Sequence, residues 1–453
     1  MPRRAPTPAC AGQTLVDGRA PLSAAAQAGA GAARSPCYHA RHALARRAED
    51  APLLEIFDTL TGQKRPFEPI EPGVARMYVC GITPYDVGHL GHALTFVAFD
   101  TVRRYLEFQA YDVRHVQNIT DIDDDMVRKA RELAISIPEL TERNHAVYLH
   151  EMDALNVQRP DAFPRVSASI PAIIELIEQL VAGGFAYAAD GYLFFDTART
   201  PEYGALSGRT RDELLHGPRG DSHPTEPEHL KRQPLDFLLW QPSNEPDAHW
   251  PSPWGVGRPG WHIECSAMSR ATLGERIDIH GGGKDLRYPH HDSEIVQSQC
   301  ASGLTPCVGT WMHIGTLMLQ GVKMSKSLGN LIKVSDLLAD GHSPDAIRLA
   351  LLGTHYRADH DWDPAALDEW ERRAALLRRA ADGPGGPPDP LLVQSRRLRF
   401  MDAMDDDFDT PRAIDVLVSI AEDIVARRLH GETAVPTLVE LAGVLGLRLG
   451  REG

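Results

Sequence analysis

The sequence has no apolar run long enough to cross a membrane, few cysteines and little positive charge. Its longest apolar candidates, such as residues 346–352, fall far short of the roughly 20 residues that a membrane-spanning helix needs. The 6 cysteines of the 453-residue chain are scattered without the spacing of a disulfide framework, which predicts a reducing, cytoplasmic location. A formal net charge of -15 argues against indiscriminate binding of nucleic acid, but it is compatible with a local basic patch. We therefore expect the cysteines to be ligands or core residues.

Residues 1–50 lack lysine and apolar periodicity and are rich in Ala, Arg, Pro and Gly. This composition predicts a disordered leader. The stretch contains neither a clear amphipathic helix nor a cleavage pattern, which favours an extension or a mis-assigned start over a transit peptide. The rest of the chain is long enough for two or three domains with a large core.

Residues 75–119 have the pattern of a strand, a helix and a second strand. An apolar, β-prone run at 75–83 ends in a Gly/Pro turn, helical spacing follows at 91–109, and 112–119 partly alternates. The acidic run 121–125 suits the first turn of a further helix. The sequence therefore predicts a parallel βαβ unit.

The remaining chain predicts an insertion and a helical end. Residues 126–255 are helix-rich and then turn Pro-, His- and charge-rich, with little periodicity between 216 and 234. Strand patterns return at 276–280 and 310–319. Beyond residue 331 we predict helices at 334–339, 344–352 and 364–381, a linker at 383–390, and two or three further helices, which together form a bundle.

Two short motifs carry the chemistry. His89-Leu90-Gly91-His92 falls where the first strand feeds its helix, and α/β folds gather backbone N–H groups around phosphate at that position. Lys323-Met324-Ser325-Lys326-Ser327 follows some 230 residues later. Either motif alone is weak, because HxGH also occurs in simple nucleotidylyltransferases and a Lys/Ser loop is often a solvated turn. Their order and spacing together indicate activation of a carboxylate by ATP.

A second group of residues suggests a metal site. His290 and Glu294 stand at i and i+4 and would share one side of a helix. With Cys80 and Cys265 they make the mixture of thiolate, imidazole and carboxylate that zinc accepts. Spacing alone leaves open a second interpretation, in which the two remote cysteines are small core residues.

A family resemblance joins these features. The segments MYVCGITPYD, HLGHA, GWHIECSAMS, HGGGKDLRYPHH and KMSKSLGN, in this order, resemble the cysteinyl-tRNA synthetases and their close relative, the cysteine ligase of mycothiol biosynthesis. The resemblance spans roughly residues 52–380. It implies an α/β fold with a Rossmann-like parallel-sheet catalytic domain of class I at 51–330, interrupted by the insertion. A helical stem-contact region at 331–382 and a helical domain at 391–453, lacking a full anticodon-binding module, would follow.

The resemblance also implies roles for individual residues. One zinc ion per chain, held at the positions matching Cys80, Cys265, His290 and Glu294, would bind the thiolate of substrate cysteine. The chain departs from the family by Asp292-Ser293, where Glu-Asn is usual. The implied catalytic residues are His89, His92, Lys323 and Lys326, and the implied ATP-binding residues, with Mg²⁺ accompanying ATP, add Thr83, Gly281, Gly282, Gly283 and Asp285.

Some of these assignments have plain structural alternatives. The three glycines allow backbone to approach the adenosine, but they suit a tight turn equally well. Trp261 and Thr83 are expected in the substrate pocket, although a buried core Trp has the same appearance in sequence. His262, His291 and His313 are given no role.

The two related families differ in the molecule that accepts the cysteinyl group. Residues 404–411 (MDDDFDTP) resemble the helical domain of the synthetases, which favours tRNA(Cys), whereas GITPYD and HLGHA resemble the mycothiol enzyme and favour glucosaminyl-inositol. We expect a cysteine-tRNA ligase. Two alternative functions belong to other classes of protein. One is a nucleotidylyltransferase, which would not need the four metal ligands, and the other is a cysteine sensor without catalytic activity. A monomer is favoured, although the sequence does not determine the oligomeric state.

Overall fold

The structure is a computed structural model that describes residues 53–217, 226–324, 328–384 and 386–449. The predicted leader at 1–50 lies outside the described residues. The chain from the first strand to the end of the insertion contains, in order, β1 (Glu55–Asp58), β2 (Gln63–Pro66), β3 (Val74–Ile82), α1 (Leu90–Phe108), β4 (Asp112–Ile119), α2 (Asp124–Leu133), α3 (Ile137–Ala154), α4 (Val166–Ala182), β5 (Ala186–Ala189), β6 (Tyr192–Phe195), α5 (Arg211–His216), β7 (Phe237–Pro242) and β8 (Gly257–Pro259).

The remaining elements complete the catalytic layer and add the helical end. They are α6 (Trp261–Leu273), β9 (Ile277–Gly283), α7 (His290–Ser302), β10 (Val308–Ile314), β11 (Leu317–Leu319), β12 (Val322–Lys323), α8 (Val334–Ala339), α9 (Pro344–Leu352), β13 (His360–Trp362), α10 (Leu367–Ala381), α11 (Pro390–Asp405), α12 (Thr410–Val425) and α13 (Gly431–Val444). Within the described ranges, short 3-10 segments lie at Thr197–Arg199, Glu228–Leu230, Lys284–Arg287 and Pro364–Ala366.

A parallel sheet of four strands in the order β10-β9-β3-β4 organises the catalytic layer. Helix α1 connects β3 to β4, so the predicted βαβ unit is confirmed. From β3 the chain first moves to one side of the sheet and later returns to the other side with β9. The carboxyl ends of β3 and β9 therefore form a switch point, the place where open α/β sheets bind ligands.

Alternation along β3 divides its side chains between the two faces of the sheet. Met77 and Val79 join the core that contains α1, whereas Tyr78 and Cys80 join the core that contains α6. All four are buried because the sheet is covered on both faces. Cys80 consequently faces the helix that carries Cys265.

The glycine run lies in a strand, so the tight-turn alternative for it is wrong. Gly281, Gly282 and Gly283 are the last residues of β9. A Cβ atom at Gly281 would lie 2.1 Å from Cζ of Phe99 on α1. Glycine at this position therefore lets the helix that begins in the HxGH motif pack directly against the sheet.

The insertion contains a sheet that the sequence prediction missed. Helices α2, α3 and α4 agree with the helix-rich pattern, and Asp123 caps α2 as the acidic run predicted. Strands β5, β6, β7 and β8 then form an antiparallel sheet. The strands have only three to six residues. Asp190-Gly191, with φ angles of 49° and 81°, makes the β5–β6 turn, and this dipeptide was a usable hairpin signal.

The prediction of one strand at 310–319 is also wrong. β10 ends at Ile314, and a Cβ on Gly315 would lie 2.0 Å from the backbone oxygen of Ala358. The chain then leaves the central sheet. β11 instead joins a small sheet in the order β12-β11-β13. β13 was missed because three residues carry too little pattern to detect.

The helices at the end of the described chain pack with α1 around one core. α8 and α9 have the predicted bounds, and α10 begins at Leu367 after a 3-10 turn at Pro364–Ala366. Buried residues of α9, α10, α11, α12 and α13 belong to the core cluster that also contains α1. The described residues of the catalytic layer, the insertion and these helices form one compact unit. The boundaries proposed at 330, 382 and 391 stay predictions.

A buried ion pair joins α1 to these helices. Arg348 of α9 pairs with Asp100 of α1, and both side chains are 1% exposed. The guanidinium also donates to the backbone oxygens of Leu155 and Leu445. Burial raises the pKa of Asp100, but Arg348 and Arg104 outweigh it and hold the carboxyl below its usual pKa. One side chain thus connects three separate parts of the chain.

We expect Arg348→Met to lower the free energy of unfolding by about 3–5 kcal/mol, because Asp100 keeps its buried charge and loses a partner. Urea unfolding measures the loss. Asp100→Asn in the same chain should recover part of it, since the amide carries no charge. Arg399→Met on the exposed face of α11 is the control, with an expected change within about 0.5 kcal/mol. A loss below about 1 kcal/mol for Arg348→Met would contradict the role given to this pair.

His115 of β4 is buried, and neither ring nitrogen makes a hydrogen bond within the described residues. Burial, with the Arg103 guanidinium, lowers the pKa of the imidazole from 6.5 to about 3. Because the folded-state pKa lies below the unfolded one, the unfolded chain binds a proton that the folded chain does not. Stability is therefore complete above about pH 6.5 and falls as the pH drops toward 3, by about 1.4 kcal/mol per pH unit.

His115→Leu removes this proton uptake. Between pH 6.5 and pH 5 the unmodified protein should lose about 2 kcal/mol more unfolding free energy than the variant. Urea unfolding curves at the two pH values give the difference. Parallel pH profiles for both proteins would contradict the buried neutral imidazole.

Candidate functional site

A cleft opens at the carboxyl ends of β3 and β4, next to the switch point. Its walls come from the end of β3 and the loop after it, the start of α1, the end of β4, α6 and α7. The residues lining it are Cys80, Gly81, Ile82, Thr83, Tyr85, Asp86, Val87, His89, His92, Asn118, Thr120, Trp261, Cys265, Leu286 and His290. The HxGH histidines and three of the four predicted metal ligands therefore border the same cleft.

The four predicted metal ligands meet at the base of the cleft. One ligating atom from each of Cys80, Cys265, His290 and Glu294 lies within 4.8 Å of the others. The two sulfur atoms are 3.8 Å apart, and Nε2 of His290 is 3.1 Å from Oε1 of Glu294. All four side chains are buried. The alternative that the cysteines are unrelated core residues does not describe this arrangement.

Local structure fixes each ligand. Cys265 lies on α6 and the His290/Glu294 pair on α7, one turn apart as their spacing predicted. The ring of Trp261 stacks on His290 with centroids 4.3 Å apart. Asp292, at the position of the family departure, accepts backbone N–H groups of Leu206 and Ser207. That departure therefore supports the neighbouring loop and leaves the ligand positions unchanged.

The protonation of the cluster suits a cation. Burial raises the pKa of the Cys80 thiol well above its usual value. Cys80 donates to Cys265, and this hydrogen bond lowers the pKa of the Cys265 thiol to about 6. Burial lowers the pKa of His290, but the Glu294 carboxylate and Cys265 outweigh it and raise that pKa to about 10. A buried thiolate and a buried carboxylate thus lie beside the His290 imidazolium.

Two observations indicate that these residues fit a divalent metal ion: the chemistry of the ligand set, and a buried carboxylate oxygen that lacks a hydrogen bond. Oε2 of Glu294 makes no hydrogen bond within the described residues, although Nε2 of His280 lies 3.5 Å away. A carboxylate oxygen buried in this way is costly unless it is paired or coordinates a metal. Two sulfur ligands, one imidazole and one carboxylate form a tetrahedral set that zinc accepts.

The two HxGH histidines cap α1. Nδ1 of His89 accepts the backbone N–H of Gly91 at 3.1 Å, and Nδ1 of His92 accepts that of His89 at 3.3 Å. Their rings stack with centroids 4.0 Å apart. Because Nδ1 accepts in both rings, the proton of each neutral ring is on Nε2. The motif thus holds two imidazole donors at a helix N-terminus, which favours a bound anion.

The other predicted nucleotide-binding residues are brought together only in part. Thr83 borders the cleft, and Nζ of Lys323 lies 3.2 Å from Oδ2 of Asp285, so the KMSKS segment contacts the loop after β9. The three glycines do not border the cleft. Lys326, with Ser325 and Ser327, lies outside the described residues. Contact of the glycines, Asp285 and Lys326 with ATP stays a prediction.

Sequence reasoning missed several polar residues of the site. Asn118 accepts the N–H of Gly81 at 2.8 Å and donates to Thr120, and both residues border the cleft. They lie at the carboxyl end of β4, a signal that was available. His280 and His291 also lie among the metal-ligand atoms, 3.6 and 3.3 Å from the sulfur of Cys80. His262 contacts His290, with Nδ1 atoms 3.0 Å apart.

Family models cover most of the described chain. Residues 66–372 match the model for the tRNA synthetases class I (C) catalytic domain, and residues 399–450 match the DALR domain. Among the described residues, no helix is both long enough and apolar enough to span a bilayer.

Individual proteins are similar over nearly the whole chain. A cysteine-tRNA ligase of Halorhodospira halophila is 47% identical over 402 residues, covering 87% of this chain and 85% of the relative. A cysteine-tRNA ligase of Klebsiella pneumoniae is 46% identical with the same coverage. Among solved structures, Mycobacterium tuberculosis methionyl-tRNA synthetase with methionyl-adenylate has a TM-score of 0.58 at 18% identity, covering 82% of this chain and 90% of that one. A leucyl-tRNA synthetase complex of Agrobacterium radiobacter has a TM-score of 0.60 at 11% identity, covering 84% of both chains. These structures support the fold alone.

Proposed function

This chain belongs to the cysteine-tRNA ligase family of class I aminoacyl-tRNA synthetases, and we propose that it joins cysteine to tRNA(Cys) in an AMP-forming reaction. The family is shown by identities of 42–47% over 87% of the chain. The observation that carries the site assignment is the closure of Cys80, Cys265, His290 and Glu294 into one buried cluster beside the HxGH histidines. The enzyme is a ligase, with an amino acid, ATP and tRNA as its substrates.

We propose zinc as the metal that these four residues hold. When bound, zinc supplies a positive charge that stabilises the thiolate of cysteine. The hydroxyl of serine is a poorer ligand for zinc. This discrimination is valuable because the side chains of cysteine and serine have nearly equal size. Shape alone would therefore give only a small selectivity for cysteine over serine. Trp261, stacked on His290 and bordering the cleft, would close the amino-acid pocket over the sulfur. Thr83 borders the same pocket.

Activation requires charge stabilisation around the α-phosphate of ATP. The carboxylate oxygen of cysteine attacks this phosphorus, a new C–O–P linkage forms, and the bond to pyrophosphate breaks. Negative charge grows on the non-bridging oxygens and on the leaving group, where fixed donors stabilise it most. His89 and His92 would donate through Nε2 to the α-phosphate beside the N-terminus of α1. Lys323 and Lys326 would neutralise pyrophosphate, which leaves with Mg²⁺.

tRNA is the acceptor favoured by the relatives and by the helical end. The similar proteins are cysteine-tRNA ligases, and residues 399–450 of this chain match the DALR domain. A hydroxyl of tRNA would attack the carbonyl carbon of cysteinyl-AMP and release AMP. The described cysteines are all free thiols, which agrees with a reducing cytoplasm. A monomer stays our prediction.

The test supplies the purified protein with ATP, labelled cysteine and one of two acceptors. We expect cysteine-dependent exchange of label between pyrophosphate and ATP, one zinc ion per chain, and transfer of cysteine to bulk tRNA. Glucosaminyl-inositol should remain unlabelled. Transfer to the sugar would instead identify the mycothiol-type ligase. Exchange that is independent of cysteine would indicate a nucleotidylyltransferase, and zinc binding without exchange would indicate a cysteine sensor.

A further inference from the structure

The buried cluster holds more ligating atoms than one metal position uses. Besides the proposed zinc ligands, a second group of four consists of Cys80, His280, His291 and Glu294. Its ligating atoms also lie within 4.8 Å of one another, and all four side chains are buried. The two groups share Cys80 and Glu294. His280 and His291 take the places of Cys265 and His290.

The spacing in the second group is that of a tetrahedral site. Zn–S bonds of about 2.3 Å and Zn–N bonds of about 2.1 Å place neighbouring ligand atoms about 3.4 to 3.8 Å apart. From the sulfur of Cys80, Nε2 of His291, Nε2 of His280 and Oε1 of Glu294 lie at 3.3, 3.6 and 3.6 Å. The two imidazole nitrogens lie 3.5 and 3.8 Å from oxygens of Glu294. Four of these five separations fall within this range and the fifth is slightly shorter; Oε1 of Glu294 faces Cys80 and His291, and Oε2 faces His280.

The second group is also oriented for ligation. Nδ1 of His291 lies 2.8 Å from Nε2 of His313, whose Nδ1 lies 2.8 Å from the hydroxyl of Thr59. The outer nitrogen of His291 is therefore hydrogen-bonded while Nε2 faces Cys80, the arrangement that orients metal-bound imidazoles. His280 stacks on Trp311 with centroids 4.4 Å apart. Neither ring needs to turn to reach an ion.

The two groups differ in their access to the cleft. Cys80, Cys265 and His290 border the cleft that also contains the HxGH histidines. His280 and Glu294 border a separate crevice lined by Trp311 on the other side of the cluster. Of the second group only Cys80 borders the cleft, so this group lies farther from the cleft, and in that sense deeper, than the first. Because the groups share two ligands, they fit one ion at a time.

We propose that this cluster provides two overlapping positions for one divalent metal ion, and that the deeper one, formed by Cys80, His280, His291 and Glu294, retains the ion when Cys265 or His290 cannot bind it. The inference rests on the zinc site proposed above. Cys80 and Glu294 keep their ligating places in both positions. Loss of a cleft-side ligand should therefore change the coordination of the ion without releasing it.

The test uses zinc content and X-ray absorption of the full chain. Cys265→Ser should keep one zinc per chain, with one sulfur neighbour in place of two and more imidazole scattering. Cys265→Ser combined with His291→Ala should lose at least about 90% of the zinc, since neither group then has four ligands. His291→Ala alone should keep one zinc with two sulfurs. Cys265→Ser with His115→Ala controls for the loss of a buried imidazole away from the cluster.

Each outcome bears on one inference. A metal-free unmodified protein would overturn the proposed zinc site itself. A zinc-binding unmodified protein whose folded Cys265→Ser variant is metal-free would overturn only the second position. Zinc retained in the Cys265→Ser/His291→Ala double variant would do the same, because the ion would then depend on Cys80, His290 and Glu294. If circular dichroism shows that Cys265→Ser does not fold, the same zinc measurements are made on His290→Ala, which removes the other cleft-side ligand.

Discussion

Cys80→Ala is expected to leave the protein without zinc and without cysteine activation. Cys80 is the thiol that both ligand groups contain, so its loss leaves three ligands in each. Cysteine-dependent exchange between pyrophosphate and ATP should fall at least about 1,000-fold, the change that a loss of about 4 kcal/mol of binding produces. Metal analysis and the exchange assay on the same preparation measure both effects.

Cys300→Ala is the matched control for the Cys80 variant. Cys300 is a half-buried thiol on α7, the helix of His290 and Glu294, and it belongs to neither ligand group. Its zinc content and exchange rate should stay within about twofold of the unmodified protein. A Cys80→Ala protein that keeps a full complement of zinc would contradict the place of Cys80 among the ligands, and one that loses zinc but still exchanges with cysteine would remove the metal from the mechanism.

His92→Asn is expected to slow adenylation about 100- to 1,000-fold, while zinc content stays unchanged. The asparagine keeps a polar side chain within the capping turn of α1, but it lacks the Nε2–H that we place beside the α-phosphate. Removal of one such fixed donor elsewhere lowers kcat by this amount. Because charge develops in the transition state, most of the loss should fall on kcat, with little change in the KM for ATP.

His150→Asn provides the comparison for the His92 variant. His150 lies on α3, is exposed, and does not border the cleft. Its exchange rate should not change. Thermal unfolding of both variants separates a loss of fold from a loss of the donor. If His92→Asn raises only the KM for ATP and leaves kcat intact, the imidazole binds the ground state and has no special role in the reaction.

Local patterns were sufficient for the elements that depend on neighbouring residues. The run 75–83, the helical spacing after Gly91 and the alternation at 112–119 located β3, α1 and β4 to within one or two residues. Such segments bury a whole face or stripe, so their periodicity is complete. The HxGH motif could then be assigned to a helix N-terminus before its contacts were known.

Elements that depend on partners far away in the sequence could not be predicted from local patterns. The insertion sheet pairs β6 with β7 across some forty residues, and each strand is too short to show alternation. The bend at Gly315 reflects close approach of the Ala358 backbone, which no local pattern records. These contacts are decided by packing between segments far apart in the chain.

The metal site shows the same limit. The i, i+4 spacing of His290 and Glu294 predicted a shared helix face, but Cys80 and Cys265 are 185 residues apart, and only the family resemblance joined them to the pair. His291 was given no role because its sequence position suits an ordinary polar neighbour equally well. Its place beside Cys80 depends on packing between segments that are 211 residues apart in the chain.

X-ray absorption of the zinc-loaded protein before and after addition of cysteine tests most directly whether a metal recognises the amino acid. We predict that the number of sulfur neighbours rises from two, supplied by Cys80 and Cys265, to three when cysteine binds, and stays at two with serine. A sulfur count that remains at two in saturating cysteine would contradict the selection of cysteine through its thiolate.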